Sequence, residues 1–247
     1  MNTIVSAFVS NVNDRYENSL NRYYMNGKLL LQSNVPKVIF VDELMFDLIG
    51  NDYDKTNTLI VKINKKKSYL YNYTQHLKNF KINTTDPKKD TLEYMLTICN
   101  KTEWVKEAIF LNHFKTNNFI WVDFGIRYIL NGELSYCSDE EFISKINNLK
   151  YKTYNNVRIG GIWNLNYNFN IDIYKDVAWY FAGGIFGGNI NSLLRFAELM
   201  KSKCIDIMIT KNTIMWEVNI WYLIYNENKS LFDSYGCNHD KSLIDNY

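Results

Sequence analysis

Five apolar runs of strand length recur along the chain, and they constrain its fold more than any other feature. The runs are TIVSAFV (3–9), KVIFVD (37–42), TLIVKI (58–63), NFIWVD (118–123) and VAWYFA (177–182). Most of them are apolar without interruption, which is typical of strands that are covered on both faces. Such strands belong to parallel sheets with helices on each side, so the runs favour an α/β protein.

Helical periodicity fills the segments between these runs. The helical stretches are 15–32, 89–110, 191–203 and 212–225. Strands that alternate with helices predict βαβ units and a mostly parallel sheet flanked by helices. We find no internal repeat and no linker in the sequence. A single domain is therefore the simplest interpretation, with a less regular part beyond about residue 155.

Composition and charge exclude several classes of protein. The chain has 247 residues, of which 47% are hydrophobic and 22% are charged, so it belongs to the globular class. A formal charge of +2 does not indicate a dedicated nucleic-acid binder. The one basic run, at residues 65–67, predicts a solvated loop, with a phosphate contact as the alternative.

Cysteine spacing and hydropathy indicate the compartment. The four cysteines are far apart and form no CxxC pair, so they predict neither a zinc site nor a redox site and suit a reducing compartment. The first residues lack the basic region of a signal peptide. No run approaches the ~18 apolar residues of a membrane span. We therefore expect a soluble, cytoplasmic protein.

Two of the apolar runs end on an aspartate. Ligands of open α/β folds bind at the carboxyl edge of the sheet, which is where Asp42 and Asp123 would lie. The alternative is that each aspartate caps the next helix or turn. Capping is favoured for Asp42, because Glu43 and Leu44 look like a helix start. Asp123 is followed by the apolar segment FGI without a cap partner, so a ligand role fits it better.

Glycine is concentrated in one segment, AWYFAGGIFGGNINS (178–192). Four of the eleven glycines fall there, directly after an aromatic run: Gly183, Gly184, Gly187 and Gly188. Glycine serves where the backbone needs a positive φ or where a ligand approaches closely. The spacing differs from the G-x-G-x-x-G fingerprint of dinucleotide sites. We therefore predict a tight loop against a sugar or an acceptor, with helix packing as the alternative.

A third candidate is Glu217, which MWEVNIWYLIY (215–225) places near the start of a predicted helix between tryptophans. A carboxylate there gains from the helix dipole, which is the structural interpretation. Aromatic neighbours would instead raise its pKa and suit it to proton transfer. The sequence contains no HExxH motif, no nucleophile elbow and no Ser-His-Asp spacing, so it does not indicate a hydrolase.

Taken in order, these motifs resemble one known family. The segments VPKVIFVDE, K-x-x-W-V-K-E-A-I, W-V-D-F-G-I and A-G-G-x-F-G-G are similar to those of the HtrL/YibB-like proteins, a glycosyltransferase-like family of bacteria and giant viruses. The resemblance runs from about residue 3 to residue 247. It implies a GT-A-like single domain, with a Rossmann-like nucleotide-sugar-binding half at about 1–130 and an acceptor half at about 131–247. A viral source would place the protein in the host cytoplasm.

The resemblance also implies a set of site residues. The donor-binding residues are Ala7, Asp42, Lys101, Asp123 and Gly125. The acceptor-binding residues are Gly183, Gly184, Gly187, Gly188 and Trp216. Glu217 is the catalytic carboxylate, and Asp123 and His239 are the ligands of a Mn²⁺ or Mg²⁺ ion. The family motif would be Asp-x-Asp, but Gly125 stands at its third position, so one carboxylate of the usual pair is missing.

The resulting prediction is an enzyme that moves a sugar from a nucleotide-sugar, expected to be a UDP-sugar, to a hydroxyl of a glycan or other acceptor. Lys101 and the metal are candidates to carry the charge of the leaving diphosphate. Trp121, Trp179 and Trp216 are candidates to stack on the base or a sugar. The alternative is a non-catalytic protein that binds a nucleotide-sugar or glycan, which the incomplete acidic motif favours. Neither nucleic acid nor a membrane span is expected.

Overall fold

Strands form at the first four apolar runs, and three further strands complete the described sheet. The computed structural model describes residues 1–13, 15, 19–78, 80–130, 136–167 and 169–247. The strands in these ranges are β1 (Asn2–Phe8), β2 (Lys37–Val41), β3 (Thr58–Lys62), β4 (Asn118–Val122), β5 (Val157–Gly161), β6 (Phe181–Asn189) and β7 (Phe232–Gly236). The first four match the predicted runs closely.

These strands build one seven-stranded sheet in the order β3-β2-β1-β4-β6-β5-β7. β1 pairs in parallel with β2 and β4, and β2 pairs in parallel with β3. β6 is antiparallel to both β4 and β5, whereas β7 is parallel to β5. The predicted mostly parallel sheet is therefore confirmed. Because β6 runs against β4, the first residues of β6 lie at the carboxyl edge of the parallel strands.

Helices cover both faces of this sheet. They are α1 (Ser19–Gln32), α2 (Glu43–Ile49), α3 (Leu92–Ile98), α4 (Lys101–Leu111), α5 (Asp139–Asn148), α6 (Ile190–Thr210), α7 (Glu217–Glu227) and α8 (Ser242–Asp245). Side chains alternate along a strand. Val5 accordingly packs into one apolar cluster with α4, α6 and α7, and Ile4 into the other with α1 and α5. No helix within the described ranges is long and apolar enough to cross a bilayer.

Local capping sets where several helices begin. The side chain of Thr91 accepts a hydrogen bond from the Tyr94 backbone N–H at 3.1 Å, so α3 begins after it. The predicted helix over 89–110 is divided into α3 and α4. Between them, the Asn100 backbone N–H donates to the Thr97 carbonyl oxygen, three residues earlier, and α4 begins at Lys101. α6 continues past the predicted end at residue 203 to Thr210. The predicted helix over 15–32 includes residues 16–18, which lie outside the described ranges.

The glycine segment corrects the prediction of a tight loop. Gly183, Gly184, Gly187 and Gly188 all lie within β6, in the middle of the sheet. A Cβ on Gly187 would lie 2.7 Å from the Phe119 carbonyl oxygen of β4, so glycine is needed there for strand pairing. The strand that was predicted at 177–182 begins only at Phe181 and continues through the glycines.

Candidate functional site

A cavity of about 320 Å³ lies at the carboxyl edge of the sheet. Ala7 contributes from the end of β1, and Asp123 follows β4 directly. Gly183 contributes from the start of β6, and Glu217 is the first residue of α7. Open α/β folds bind ligands at this edge, so the cavity is the candidate site.

A buried ion-pair cluster forms one wall of the cavity. We call Lys101, Asp123 and Glu217 the carboxylate cluster. The Lys101 ammonium donates to Glu217 Oε1 at 2.7 Å, to the Gly183 carbonyl oxygen at 2.9 Å, and lies 2.9 Å from Asp123 Oδ1. A lysine ammonium has three hydrogens, and these three acceptors use all of them.

Local structure explains why these side chains meet. Lys101 is the first residue of α4 and Glu217 the first residue of α7, so the starts of two helices converge on the cavity. Gly183 leaves room between them, because a Cβ at that position would lie 2.5 Å from Glu217 Oε1. The missing side chain therefore permits the ion pair.

Asp123 faces the cavity more openly than Glu217 does. Its side chain keeps 39% of its surface exposed, compared with 7% for Glu217. The Trp121 indole N–H donates to Asp123 Oδ1 at 2.7 Å, and the Asp123 backbone N–H donates to the Gly184 carbonyl oxygen at 2.9 Å. These bonds fix the carboxylate in place while leaving it accessible to a ligand.

Burial and charge act in opposite directions within the cluster. Burial by itself would lower the pKa of Lys101, but the carboxylates of Asp123 and Glu217 together raise it above its usual value. The pKa of Asp123 is raised, because burial, with a smaller contribution from the charge of Glu217, outweighs the stabilising effect of Lys101. With all three groups ionised, the cluster has one net negative charge.

Cations line the cavity outside this cluster. Arg15, Arg22 and Lys89, which we call the cationic rim, all contribute to the lining. Arg15 forms an ion pair with Asp86 at 2.9 Å, and Lys89 lies 3.8 Å from Asp90. Neither aspartate lines the cavity, so the rim adds positive charge to the lining. Such an arrangement can hold a phosphate or diphosphate.

Aromatic side chains form the remaining wall. The His239 ring packs edge-on against Trp179, with ring centroids 4.5 Å apart. Burial, together with the charge of Lys89, lowers the pKa of His239, so a neutral ring is favoured. Trp216 is buried and lines the cavity, and Trp121 also contributes to the lining while it packs between Trp104 and Phe186.

The structure brings most of the predicted site residues together. Those that line the cavity are Ala7, Lys101, Asp123, Gly125, Gly183, Gly184, Trp216, Glu217 and His239. Gly187 and Gly188 do not, because they pair with Ile120 and Phe119 towards the opposite edge of the sheet. Asp42 is also outside the lining, and its carboxylate accepts from the backbone N–H groups of Ser10 and Met45. Asp42 therefore caps α2, the alternative that the sequence favoured.

The cationic rim was missed from the sequence. Arg15 and Arg22 both lie in RYENSLNR (15–22), where a predicted helix begins, and Lys89 precedes the cap at Thr91. Basic residues beside a helix start are a recognisable anion-binding pattern. Nothing in these short segments shows that they face Asp123, which lies far along the chain.

The described residues do not offer a good divalent-metal site. They contain no group of three or more His, Cys, Asp or Glu side chains that could hold a metal ion. Gly125, two residues after Asp123, offers no side-chain ligand, and Asp123 Oδ1 already contacts Lys101 and Trp121. Mg²⁺ is usually held by one or two carboxylates together with water and substrate phosphates, and here Asp123 and Glu217 both already contact the Lys101 ammonium.

Comparison with known proteins bears on the fold. Mouse xyloside xylosyltransferase 1, in its apo crystal structure, matches with a TM-score of 0.50 and 10% identity, over 96% of this chain and 85% of that one. 4-Diphosphocytidyl-2C-methyl-D-erythritol synthase from Anaerococcus prevotii DSM 20548 matches with a TM-score of 0.42 and 10% identity, over 95% and 87%. No family model and no curated sequence matches. The xylosyltransferase likeness confirms the predicted GT-A-like α/β fold.

Proposed function

We propose that this protein is a glycosyltransferase that moves a sugar from a nucleotide-sugar, with UDP as the expected nucleotide, to a hydroxyl of a glycan or other acceptor. The observation that carries the proposal is the carboxylate cluster at the carboxyl edge of a GT-A-like sheet, with the cationic rim in the same cavity. The pairing of carboxylates with separate cations matches the two charges that develop when a sugar leaves a diphosphate.

The rim is the better candidate for the diphosphate. The sequence suggested Lys101 for this part, but its three hydrogens already have acceptors within the protein. Arg15, Arg22 and Lys89 line the cavity and can donate to phosphate oxygens. Ala7 and Gly125, which place little or no side chain in the lining, let the donor approach the backbone.

The carboxylates account for the other side of the reaction. The acceptor oxygen forms a bond to the anomeric carbon, the bond from that carbon to the diphosphate oxygen breaks, and the acceptor proton passes to a carboxylate. We assign this contact with substrate to Asp123, because its side chain is the more exposed of the two. Glu217 then acts through Lys101 as a positioning residue. The sequence-based assignment of the proton to Glu217 itself is the competing one.

A thermal-shift experiment tests the proposal. The full chain is heated with a panel of nucleotide-sugars, with and without Mn²⁺, and a true donor at a hundredfold excess over its Kd adds about 2.7 kcal/mol of stability. For a chain of this size the expected rise in Tm is roughly 5–10 °C. Lys89→Gln, which removes a rim cation, should reduce the shift, and Lys55→Gln, which changes an exposed lysine outside the cavity, should keep it. If no nucleotide-sugar shifts the wild-type Tm, the proposal is wrong.

Membership of the HtrL/YibB-like family and a cytoplasmic location belong to the same proposal. The family resemblance is supported by its motifs, of which W-V-D-F-G-I and A-G-G-x-F-G-G supply cavity residues. The location is supported by the four cysteines, which are all free in the structure.

A non-catalytic binding protein on the same fold is the second candidate. Gly125 in place of the second acidic residue favours it, because a site can keep its donor pocket after losing a group needed for turnover. The two functions differ in whether a reaction product is formed. A donor that shifts Tm, yet yields neither transferred sugar nor free nucleoside diphosphate with any acceptor in a glycan panel, would favour the binding protein.

A further inference from the structure

We infer that Lys101 stands in this chain where a divalent cation would otherwise join the acidic side chains, so that the site works without a metal. The inference rests on the proposed function for its use in catalysis, but its physical content concerns the protein alone. The Lys101 ammonium lies between Asp123 Oδ1, at 2.9 Å, and Glu217 Oε1, at 2.7 Å. It is 6% exposed and also donates to the Gly183 carbonyl oxygen.

A metal ion could enter this position only by displacing the ammonium. Two like charges at such short distances from the same oxygens repel strongly in a buried site. Displaced from both carboxylates, the lysine would be a buried charge without a counter-ion, which is strongly disfavoured. The ligand set is also poor, because Gly125 replaces one acidic residue and Trp121 already donates to Asp123.

The lysine performs the tasks that a cation would perform between the carboxylates. It holds Asp123 and Glu217 at fixed positions and offsets one of their two negative charges. Unlike an ion, it is covalently attached, and its position is set by the first turn of α4. It has no hydrogen left to donate to a diphosphate, so that charge falls to the cationic rim. Chelators should therefore leave donor binding unchanged.

Mn²⁺ binding to the full chain tests the inference directly. Free Mn²⁺ is measured by electron paramagnetic resonance during titration of the wild-type protein, alone and with saturating UDP. We expect no stoichiometric Mn²⁺ site that depends on Asp123 under either condition. One Mn²⁺ per chain, bound in the micromolar range and lost in Asp123→Asn, would overturn the inference.

A variant of the lysine supplies the converse test. Lys101→Met keeps most of the side-chain length but leaves two adjacent carboxylates without a cation, so it should gain a Mn²⁺ site with at least tenfold higher affinity than wild type. Lys203→Met is the control, because Lys203 pairs with Glu227 at the surface, outside the cavity. A folded Lys101→Met protein that gains no Mn²⁺ affinity would contradict the inference. If this variant does not fold, the wild-type titration alone decides.

The outcomes separate this inference from the proposed function. If nucleotide-sugars never bind, the glycosyltransferase proposal fails, whereas the Mn²⁺ titrations still decide the role of Lys101. If a nucleotide-sugar raises the wild-type Tm only when Mn²⁺ is present, the inference fails and the proposed function stands. Equal donor shifts in Mn²⁺ and in excess EDTA support both.

Discussion

Single residues decide whether the carboxylate cluster can form. The clearest case is Gly183, whose missing side chain leaves the space that Glu217 Oε1 occupies. Asp123 and Glu217 differ in exposure although both contact Lys101. The Asp123 side chain is open to the cavity, whereas the Glu217 side chain is buried. Three predictions follow from individual side chains of this kind.

Gly183→Ala should displace Glu217 from Lys101. The new Cβ would lie 2.5 Å from Glu217 Oε1 and 3.4 Å from Lys101 Nζ, so the Glu217 carboxylate must shift. Overpacking of this kind costs about 1–3 kcal/mol of unfolding free energy, measured by urea denaturation. Gly236→Ala is the control, because its Cβ would meet nothing within 4 Å. Equal stability of the two variants would show that Glu217 moves without cost.

Asp123→Asn and Glu217→Gln distinguish the two carboxylates. Loss of a positioned proton acceptor lowers the rate by ~10²–10⁴, so Asp123→Asn should reduce kcat/KM for sugar transfer by about that factor. Glu217→Gln should reduce it less, because Glu217 acts through Lys101. Initial rates and Tm are measured on the same preparations. If Glu217→Gln is the more severe change at an unaltered Tm, Glu217 is the proton acceptor that the sequence suggested.

Lys37 should make stability depend on pH. It is fully buried, and burial lowers its pKa from 10.5 to about 7. Between these values the unfolded chain binds one more proton than the folded chain, so the unfolding free energy should rise with pH, on the order of a few kcal/mol. Lys37→Met should lack this rise.

The difference between the wild type and Lys37→Met is the quantity to measure, from urea denaturation between pH 7 and 10. Buried thiols and phenols with raised pKa values, such as those of Cys237 and Tyr24, act in the opposite direction but are common to both proteins. A difference that does not change with pH would mean that Lys37 remains charged in the fold, held by Ser33, Asn57 and Thr58.

At the scale of elements, the sequence predicts those strands and helices that carry their own pattern. β1 to β4 are continuous apolar runs, and they were found almost to the residue. β5 (VRIGG) and β7 (FDSYG) were missed, because five residues with so few large apolar side chains give no clear signal. β6 was misjudged from Gly183 onwards, since glycine in a strand looks like a turn until the neighbouring backbone is known.

The same distinction applies to the site. Asp123 and Glu217 were identified because a strand end and a helix start are positions that sequence reveals. The bond that joins Lys101 to Glu217 spans 116 residues, and no local pattern encodes it. Lys101 was therefore found, but it was assigned to the diphosphate. The structure better supports a role for Lys101 in holding two carboxylates. That role depends on the contact between α4, β6 and α7.

Gly187→Ala tests the role of glycine in β6. The Cβ would lie 2.7 Å from the Phe119 carbonyl oxygen and 3.0 Å from the Ile120 Cα, and neither backbone atom can move without disturbing β4. We expect a loss of at least about 1–3 kcal/mol of unfolding free energy, against a change within about 0.5 kcal/mol for Gly236→Ala in β7. If Gly187→Ala left the free energy of unfolding unchanged, β4 and β6 would be able to separate slightly.

At the scale of the whole molecule, the cavity divides its charges between two regions. The carboxylate cluster lies at the end of β4 and the start of β6, and the cationic rim comes from the segments around α1 and α3. The chain as a whole is close to neutral, with a formal charge of +2. If the proposed anionic donor binds, its attraction must therefore come from this local arrangement and should weaken with salt.

Lys89→Gln should weaken nucleoside diphosphate binding and reduce its dependence on salt. A hydrogen bond to a charged group contributes about 1.5–3 kcal/mol, so UDP affinity should fall roughly tenfold or more. Calorimetric titrations at 50 and 300 mM NaCl, about one third of the physiological ionic strength and about twice that strength, measure both effects. Lys55→Gln, an exposed lysine outside the cavity, is the control. Equal affinities for the two variants would remove Lys89 from the rim.

Because the cavity is assembled from distant segments, it can be completed only late in the synthesis of the chain. Lys101 and Asp123 are synthesised early, together with β1 to β4, whereas Gly183 and Glu217 emerge later on the ribosome. A nascent chain that lacks β6 and α7 holds the lysine with only one of its carboxylates and cannot form the complete pocket. Stabilisation by a bound ligand is available only to chains that can bind it. In the cell, a donor would therefore protect finished molecules and leave shorter products of interrupted translation to proteolysis.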